Sequence, residues 1–124
     1  MKTKLTKMQS RARNFCRAAR ENGGMTINVE WRKSSSYGRC PVIEYGREKI
    51  AYASGCGYDK LSAALVEALS FLLPETEETG CGGGLSKCSG AGLSSVQTCL
   101  QENGWTLEQT ANGKTFDAFK LSRA

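Results

Sequence analysis

Residues 51–60 have the sequence Ala-Tyr-Ala-Ser-Gly-Cys-Gly-Tyr-Asp-Lys, and this stretch divides strand-forming chain from helix-forming chain. An apolar, strand-like run ends at Ala53, a glycine-rich turn follows, and an apolar-periodic segment begins at about Leu61. Such a turn leaves free backbone N–H groups at a helix N-terminus, where an anion can bind. It also places Cys56 and Lys60 there, so the stretch is both a fold boundary and a candidate site.

The chain before this turn predicts one amphipathic helix over residues 3–22. Its apolar residues fall on one stripe at helical spacing: Leu5, Met8, Ala12, Phe15, Cys16 and Ala19. The sequence Asn22-Gly23-Gly24 ends the helix, because these residues tolerate left-handed backbone.

Three strands follow the first helix. Residues 25–33 alternate, with Met25, Ile27, Val29 and Trp31 on one side and Thr26, Asn28, Glu30 and Arg32 on the other. Residues 40–45 predict a second strand, starting after Pro41, because proline suits a strand start. A turn over residues 46–49 and a third strand over residues 50–53 complete an antiparallel meander with short connections.

The chain after the turn predicts two further helices and a hairpin. Residues 59–73 have a broad apolar face, with Asp59 as N-cap and Pro74 as the stop. Residues 93–103 predict a short helix, and the turn signal Asn112-Gly113 predicts a hairpin. A three-residue loop pairs Trp105 with Leu121 and Leu107 with Phe119, which gives one continuous apolar face. The alternative two-residue loop sets Glu108 opposite Asp117.

These elements predict an α+β fold: a helix, a three-stranded antiparallel meander and a helix, followed by a helix and a β-hairpin. We expect a core domain over residues 1–74, an acidic and glycine-rich loop over 75–92, and a helix-hairpin extension over 93–124. The extension packs on the core, either as a small lobe or by extending the sheet.

Charge is distributed unevenly along the chain. Residues 1–60 carry a net charge of about +8 and residues 61–124 about −3, within a total of +5. This asymmetry suggests an electropositive surface suited to nucleic acid, an acidic protein or an anionic ligand. The alternative is charge that serves only solubility.

The first helix carries its cations along both sides of its apolar stripe. Several clustered cations favour phosphate binding through counterion release. The alternative is that their stems cover the edges of the stripe. The predicted nucleic-acid or anion contacts are Lys4, Lys7, Arg11, Arg13, Arg17, Arg20, Tyr37, Arg39, Gly55, Gly57, Tyr58 and Lys60.

The element order over residues 3–73 resembles the double-stranded-RNA-binding domain. The resemblance implies recognition of A-form shape by the first helix, by residues 34–39 and by residues 55–60. The chain departs from that family in two ways. Ser34-Ser35-Ser36-Tyr37-Gly38 replaces the family's proline–histidine loop motif, and the lysine cluster that opens the last helix is reduced to Lys60.

A second resemblance rests on residues 31–34, 38–41 and 52–60. These segments look like small, largely uncharacterised proteins of phages and mobile elements of Gram-positive bacteria. The resemblance implies a mobile-element origin, and six cysteines with no expected secretory signal predict a location in the bacterial cytoplasm. The resemblance also implies an alternative function, inhibition of a host defence protein by protein–protein contact.

The chain has six cysteines and no histidine, and this limits the catalytic and metal-binding chemistry that it can perform. The basic N-terminus is not followed by an apolar region, so we expect no secretory signal, and therefore reduced, uninvolved thiols. Alternatives are zinc binding by Cys81 and Cys88 with Cys56 and Cys99, or a disulfide between Cys81 and Cys88. A third functional hypothesis is an enzyme with Cys56 as nucleophile and Lys60 or Asp59 as base.

Together these features predict a non-catalytic nucleic-acid-binding protein that contacts the phosphate backbone of RNA or DNA. We expect no catalytic residue, metal or cofactor, and no membrane partner. A host protein is the alternative partner.

Overall fold

The computed structural model describes residues 5–34, 38–53, 58–73, 92–113 and 115–123. The elements in these residues are α1 Lys7–Asn22, β1 Gly24–Ser34, β2 Gly38–Tyr45, β3 Glu48–Tyr52, α2 Tyr58–Ala68, α3 Leu93–Glu102, β4 Trp105–Asn112 and β5 Phe116–Arg123. The strands form one antiparallel sheet in the order β3-β2-β1-β5-β4. The α+β class and the helix–meander–helix order are therefore confirmed.

The C-terminal hairpin extends the meander into a five-stranded sheet. β5 pairs with β1 from Gly24↔Ser122 to Glu30↔Phe116, so β1 is the central strand. Residues of all three helices and of one sheet face form a single buried cluster, which includes Phe15, Leu65 and Phe119. Of the two arrangements considered for the extension, the structure has the extended sheet.

Helix α1 begins at Lys7, four residues later than the expected residue 3. Thr6 is the N-cap, and its side chain accepts a hydrogen bond from the Gln9 amide, while the Gln9 side chain accepts one from the Thr6 amide. This capping box satisfies two free donors and fixes the helix start. At the other end Gly23 is left-handed (φ 71°), as expected. Gly24 admits no side chain, because a Cβ there would lie 2.5 Å from the Leu121 carbonyl oxygen.

Strand β2 begins at Gly38, so the prediction that it starts after Pro41 was wrong. The Pro41 carbonyl accepts a hydrogen bond from the Ala53 amide at 3.2 Å, so this residue directs its backbone polar groups towards β3. The missing N–H of proline therefore costs no bond to β1, and it costs no ladder bond within β3, because β3 has already ended at Tyr52.

The β2–β3 connection is tighter than predicted. Tyr45 pairs with Glu48, so the turn contains only Gly46 and Arg47, and β3 starts at Glu48 rather than at residue 50. Both turn residues have positive φ angles, 61° and 69°. This is the backbone of a two-residue hairpin whose twist matches that of its strands.

Helix α2 is shorter than the predicted range of 59–73. It begins at Tyr58, so Asp59 lies within the helix and is not its N-cap. It ends at Ala68, although Leu69, Leu72 and the other apolar residues up to Leu73 are buried in the core. Burial in an irregular turn produces the same apolar pattern as a longer helix.

The register predicted for the C-terminal hairpin was wrong by two residues. Leu107 pairs with Leu121 and Gln109 with Phe119, and Asn112 faces Asp117 after an irregularity between Gln109 and Ala111. A shift of two leaves each side chain on its predicted face, because the side-chain period of a strand is two. In the observed register Lys120 lies opposite Glu108, so the like-charge pairing of Glu108 with Asp117 in the two-residue alternative is also absent.

Candidate nucleic-acid interface

Two cations face each other where β1 and β2 are joined. Lys33 of β1 pairs with Arg39 of β2, and both residues are exposed. Neither has an ion-pair partner in the part of the chain that the structure describes. Like charges directly opposite each other in a sheet are destabilising. A bound anion at this position would therefore relieve an unfavourable interaction.

The side chains of this pair lie on the helix-bearing face of the sheet. Lys33 is two residues from Trp31, which packs against the core, so both extend from the same face of β1. The Arg39 guanidinium donates a hydrogen bond from Nη1 to the Trp31 carbonyl oxygen at 3.1 Å. This bond holds the Arg39 charge against β1.

The chain enters α2 after leaving the sheet at this same end. In an antiparallel meander the end of β1, the start of β2 and the end of β3 coincide, and the Ala53–Pro41 hydrogen bond shows that β3 ends beside Pro41. The chain then enters α2 at Tyr58, and Lys60, in the first turn, is half-buried. Arg39, at the start of β2, and Ala53, five residues before α2 begins, thus lie at one sheet end.

Arg11 of α1 contacts the opposite end of β3. Its Nε lies 3.1 Å from Glu48 Oε2, and its Nη1 donates to the Lys49 carbonyl oxygen at 3.4 Å. β3 is an outer strand of the sheet, and a cation beside it discourages pairing with another chain. Arg11 thus has a structural use that the sequence did not indicate.

Arg20 is also used within the fold. Its Nη1 donates to the carbonyl oxygens of Phe71 at 2.7 Å and Leu72 at 3.2 Å, which fixes the turn after α2. For Arg11 and Arg20 these contacts favour the alternative in which helix cations cover the apolar stripe. Lys7 is exposed, and Arg13 and Arg17 are half-buried. Their binding to phosphate stays a prediction.

Several predicted site residues lie outside the described residues: Lys4, Tyr37, Gly55, Gly57 and Cys56, with the predicted metal or disulfide pair Cys81 and Cys88. Tyr58 begins α2.

The cysteines differ from the expectation of six reduced, uninvolved thiols. Cys99 is disulfide-bonded, and its partner lies outside the described residues. Cys16 and Cys40 form no disulfide. Burial raises the pKa of the Cys16 thiol to about 12, and the thiol donates a hydrogen bond to the Ala68 carbonyl oxygen at 3.2 Å. Cys16 is therefore a packing residue between α1 and α2 and not a reactive thiol.

The other face of the sheet is open to solvent. The predicted alternation of β1 is confirmed, because Thr26, Asn28 and Glu30 are exposed there, whereas Ile27 and Val29 are buried. Arg32 contacts Glu30 at 3.3 Å and Glu44 at 2.9 Å on this face. The hydrogen bonds that Arg32 donates to Glu30 and Glu44 raise the pKa of Arg32.

A groove of about 260 Å³ lies on this open face. It is lined by Val42 and Phe116, with Asn28, Glu30, Glu44 and Arg47 among its polar residues. The sequence indicated the outward position of Asn28 and Glu30. It did not indicate Phe116 as their neighbour, because that contact depends on the pairing of β1 with β5.

Within the described residues no group of three or more cysteine or acidic side chains is arranged to hold a metal ion. No helix in the same part of the chain is both long enough and apolar enough to cross a membrane. Comparison with protein-family models, with curated proteins and with solved structures found no match to this chain.

Proposed function

We propose that this protein binds nucleic acid without catalysing a reaction, through phosphate contacts at the sheet end that carries Lys33 and Arg39. The observation that supports the proposal is the direct pairing of these two exposed cations with no carboxylate partner among the described residues. Phosphate groups suit such a site, because each neutralised phosphate releases a counterion.

The start of α2 adds a second element to the proposed surface. Helix N-termini favour anions, and Lys60 in the first turn adds a cation that would otherwise lie unfavourably at the positive end of the helix dipole. The exposed Lys7 is a separate proposed contact, because Arg11, one helical turn later, lies at the opposite end of β3; Arg11 and Arg20 are themselves engaged within the fold. Backbone contacts of this kind position a nucleic acid but carry little sequence information.

The proposal includes a mobile-element origin and a location in the bacterial cytoplasm, where nucleic acid is accessible. The origin is proposed from the resemblance of residues 31–34, 38–41 and 52–60, and the binding from the charge arrangement of this chain.

Fluorescence anisotropy with labelled RNA and DNA tests the proposal, using single strands and duplexes of about 16 base pairs. We expect Lys33→Ala and Arg39→Ala each to weaken binding several-fold. Lys120→Ala is the matched control, because Lys120 is also an exposed strand lysine. It pairs with Thr26, about 23 Å from Lys33 along β1. Absence of binding to every probe at low salt, or an equal loss in Lys120→Ala, would overturn the proposal.

A further inference from the structure

Phe116 is an exposed aromatic side chain at the wall of the open-face groove. It is 44% exposed although its neighbours on β5, Asp117, Ala118 and Phe119, are buried. In the sheet it lies directly opposite Glu30, which in turn pairs with Val42 of β2. A partly exposed phenylalanine ring thus lies at the groove with the apolar side chain of Val42, and such a ring can stack with a flat partner.

The charges around the groove cancel. Glu30 and Glu44 are both contacted by Arg32, and Arg47 adds a second cation at the groove's edge. The net charge of these four side chains is therefore close to zero. A groove with no net charge suits an uncharged group better than a phosphate or a lone cation, because neither finds a compensating charge there.

The polar groups that line the groove can both donate and accept hydrogen bonds. The Asn28 side chain offers an amide donor and a carbonyl acceptor. Arg32 contacts Glu44 through Oε2, which leaves Oε1 of that carboxylate without an Arg32 contact. A planar, uncharged partner with hydrogen-bonding edges matches this set, and a nucleobase is such a group.

We infer that this groove holds one unpaired base of a single-stranded nucleic acid, stacked on Phe116, with its edge bonded by Asn28 and Glu44. The inference rests on the proposed function and specifies its ligand. Glu30 is three residues from Lys33, about 10 Å along β1, and the two side chains lie on opposite faces of the sheet, so a strand held by Lys33 and Arg39 has to pass around the sheet end to reach the groove. A carboxylate accepts but does not donate, so the site favours guanine, which offers two donors on one edge, over uracil.

The test uses single-stranded RNA oligonucleotides of uridine with either one central guanosine or none. Wild type binds the guanosine oligonucleotide more tightly. Phe116→Ala weakens that binding by about fivefold to a hundredfold, the range for loss of one base–aromatic stack, and removes the preference. Phe116→Leu, which keeps an apolar side chain, loses the same preference. Tyr52→Ala is the matched control, because Tyr52 is 45% exposed on the same face but does not line the groove.

A second measurement separates this inference from the proposed function. Free guanosine carries no phosphate, and we expect it to shift the NMR resonances of Asn28, Val42 and Phe116 at millimolar concentration. Salt-dependent binding with no base preference, unchanged in Phe116→Ala, would overturn the inference and leave the proposed function intact. Guanosine shifts at the groove without oligonucleotide binding would overturn the proposed function. Absence of both would overturn both.

Discussion

Trp31 donates a hydrogen bond from its indole Nε1 to the Oδ2 atom of Asp117, which joins β1 to β5. The other carboxylate oxygen of Asp117 accepts a hydrogen bond from the Gln109 side-chain amide at 3.0 Å. Asp117 is 1% exposed, and it is the one buried side chain with a formal charge among the described residues. The bond from Trp31 connects the N-terminal meander to the C-terminal hairpin across 86 positions of sequence, and the bond from Gln109 lies within the hairpin.

This connection predicts that Asp117→Ala destabilises the whole fold. The substitution leaves the Trp31 and Gln109 donors unpaired, and we expect the free energy of unfolding to fall by about 1–3 kcal/mol. Urea unfolding followed by tryptophan fluorescence and by circular dichroism measures it. The control is Glu108→Ala, an exposed residue on β4, whose effect should stay within about 0.5 kcal/mol. Equal losses in the two variants would show that the buried carboxylate stabilises the fold no more than an exposed one does.

Arg20 should matter for stability and not for nucleic-acid binding. Arg20→Ala removes the bonds to the carbonyl oxygens of Phe71 and Leu72, so we expect a loss of about 1–2 kcal/mol. Lys7→Ala removes an exposed cation from the same helix and should change stability by less than about 0.5 kcal/mol. Thermal unfolding of both variants measures the difference. An unchanged Arg20→Ala would mean that its carbonyl contacts contribute no net stability.

The β2–β3 turn offers a stabilising substitution. Arg47 has a φ of 69°, a left-handed conformation that costs a side-chain-bearing residue about 1 kcal/mol. Arg47→Gly removes this cost but adds freedom to the unfolded chain, so we expect a net gain of about 0.5 kcal/mol. Arg47→Ala keeps the Cβ and should show no gain. Urea titrations compare the two variants, and a gain in Arg47→Ala equal to that in Arg47→Gly would exclude backbone strain as the cause.

Because the Cys16 thiol is buried, we expect the fold to lose stability at alkaline pH. Its pKa rises from 9.0 to about 12 on folding, so above pH 9 the unfolded chain loses a proton that the native chain keeps. The free energy of unfolding therefore falls by up to about 1.4 kcal/mol per pH unit in this window, and the contribution is constant below it. Cys16→Ala, less stable at neutral pH, should show a flatter profile from about pH 8 to about pH 10. Parallel profiles for the two proteins would contradict this assignment.

Much of the fold could be predicted from the sequence because its signals are local. The alternation of Met25 to Lys33 and the glycines after Asn22 each act within a few residues, so the first helix end and the central strand were recognised. The position of Pro41 inside β2 could not be predicted in this way. It is tolerated only because β3 ends beside it, a fact that belongs to the neighbouring strand.

The candidate site was less accessible to sequence reasoning than the fold. Lys33 and Arg39 are both visible as cations, but their direct opposition depends on the register of β1 with β2. Helical spacing placed Arg11 and Arg20 beside the apolar stripe without showing which backbone carbonyls they would meet. The hydrogen bonds of Asp117 are likewise set by a strand pairing that joins distant parts of the chain.

The salt dependence of binding tests the central claim most directly. For wild type, the logarithm of the association constant should fall linearly with the logarithm of salt concentration. In Lys33→Ala/Arg39→Ala the slope should be shallower by about 1.5 to 2, because two phosphate contacts are lost. Lys120→Ala should keep the wild-type slope. A double variant with an unchanged slope, or wild-type binding that does not respond to salt, would contradict the account.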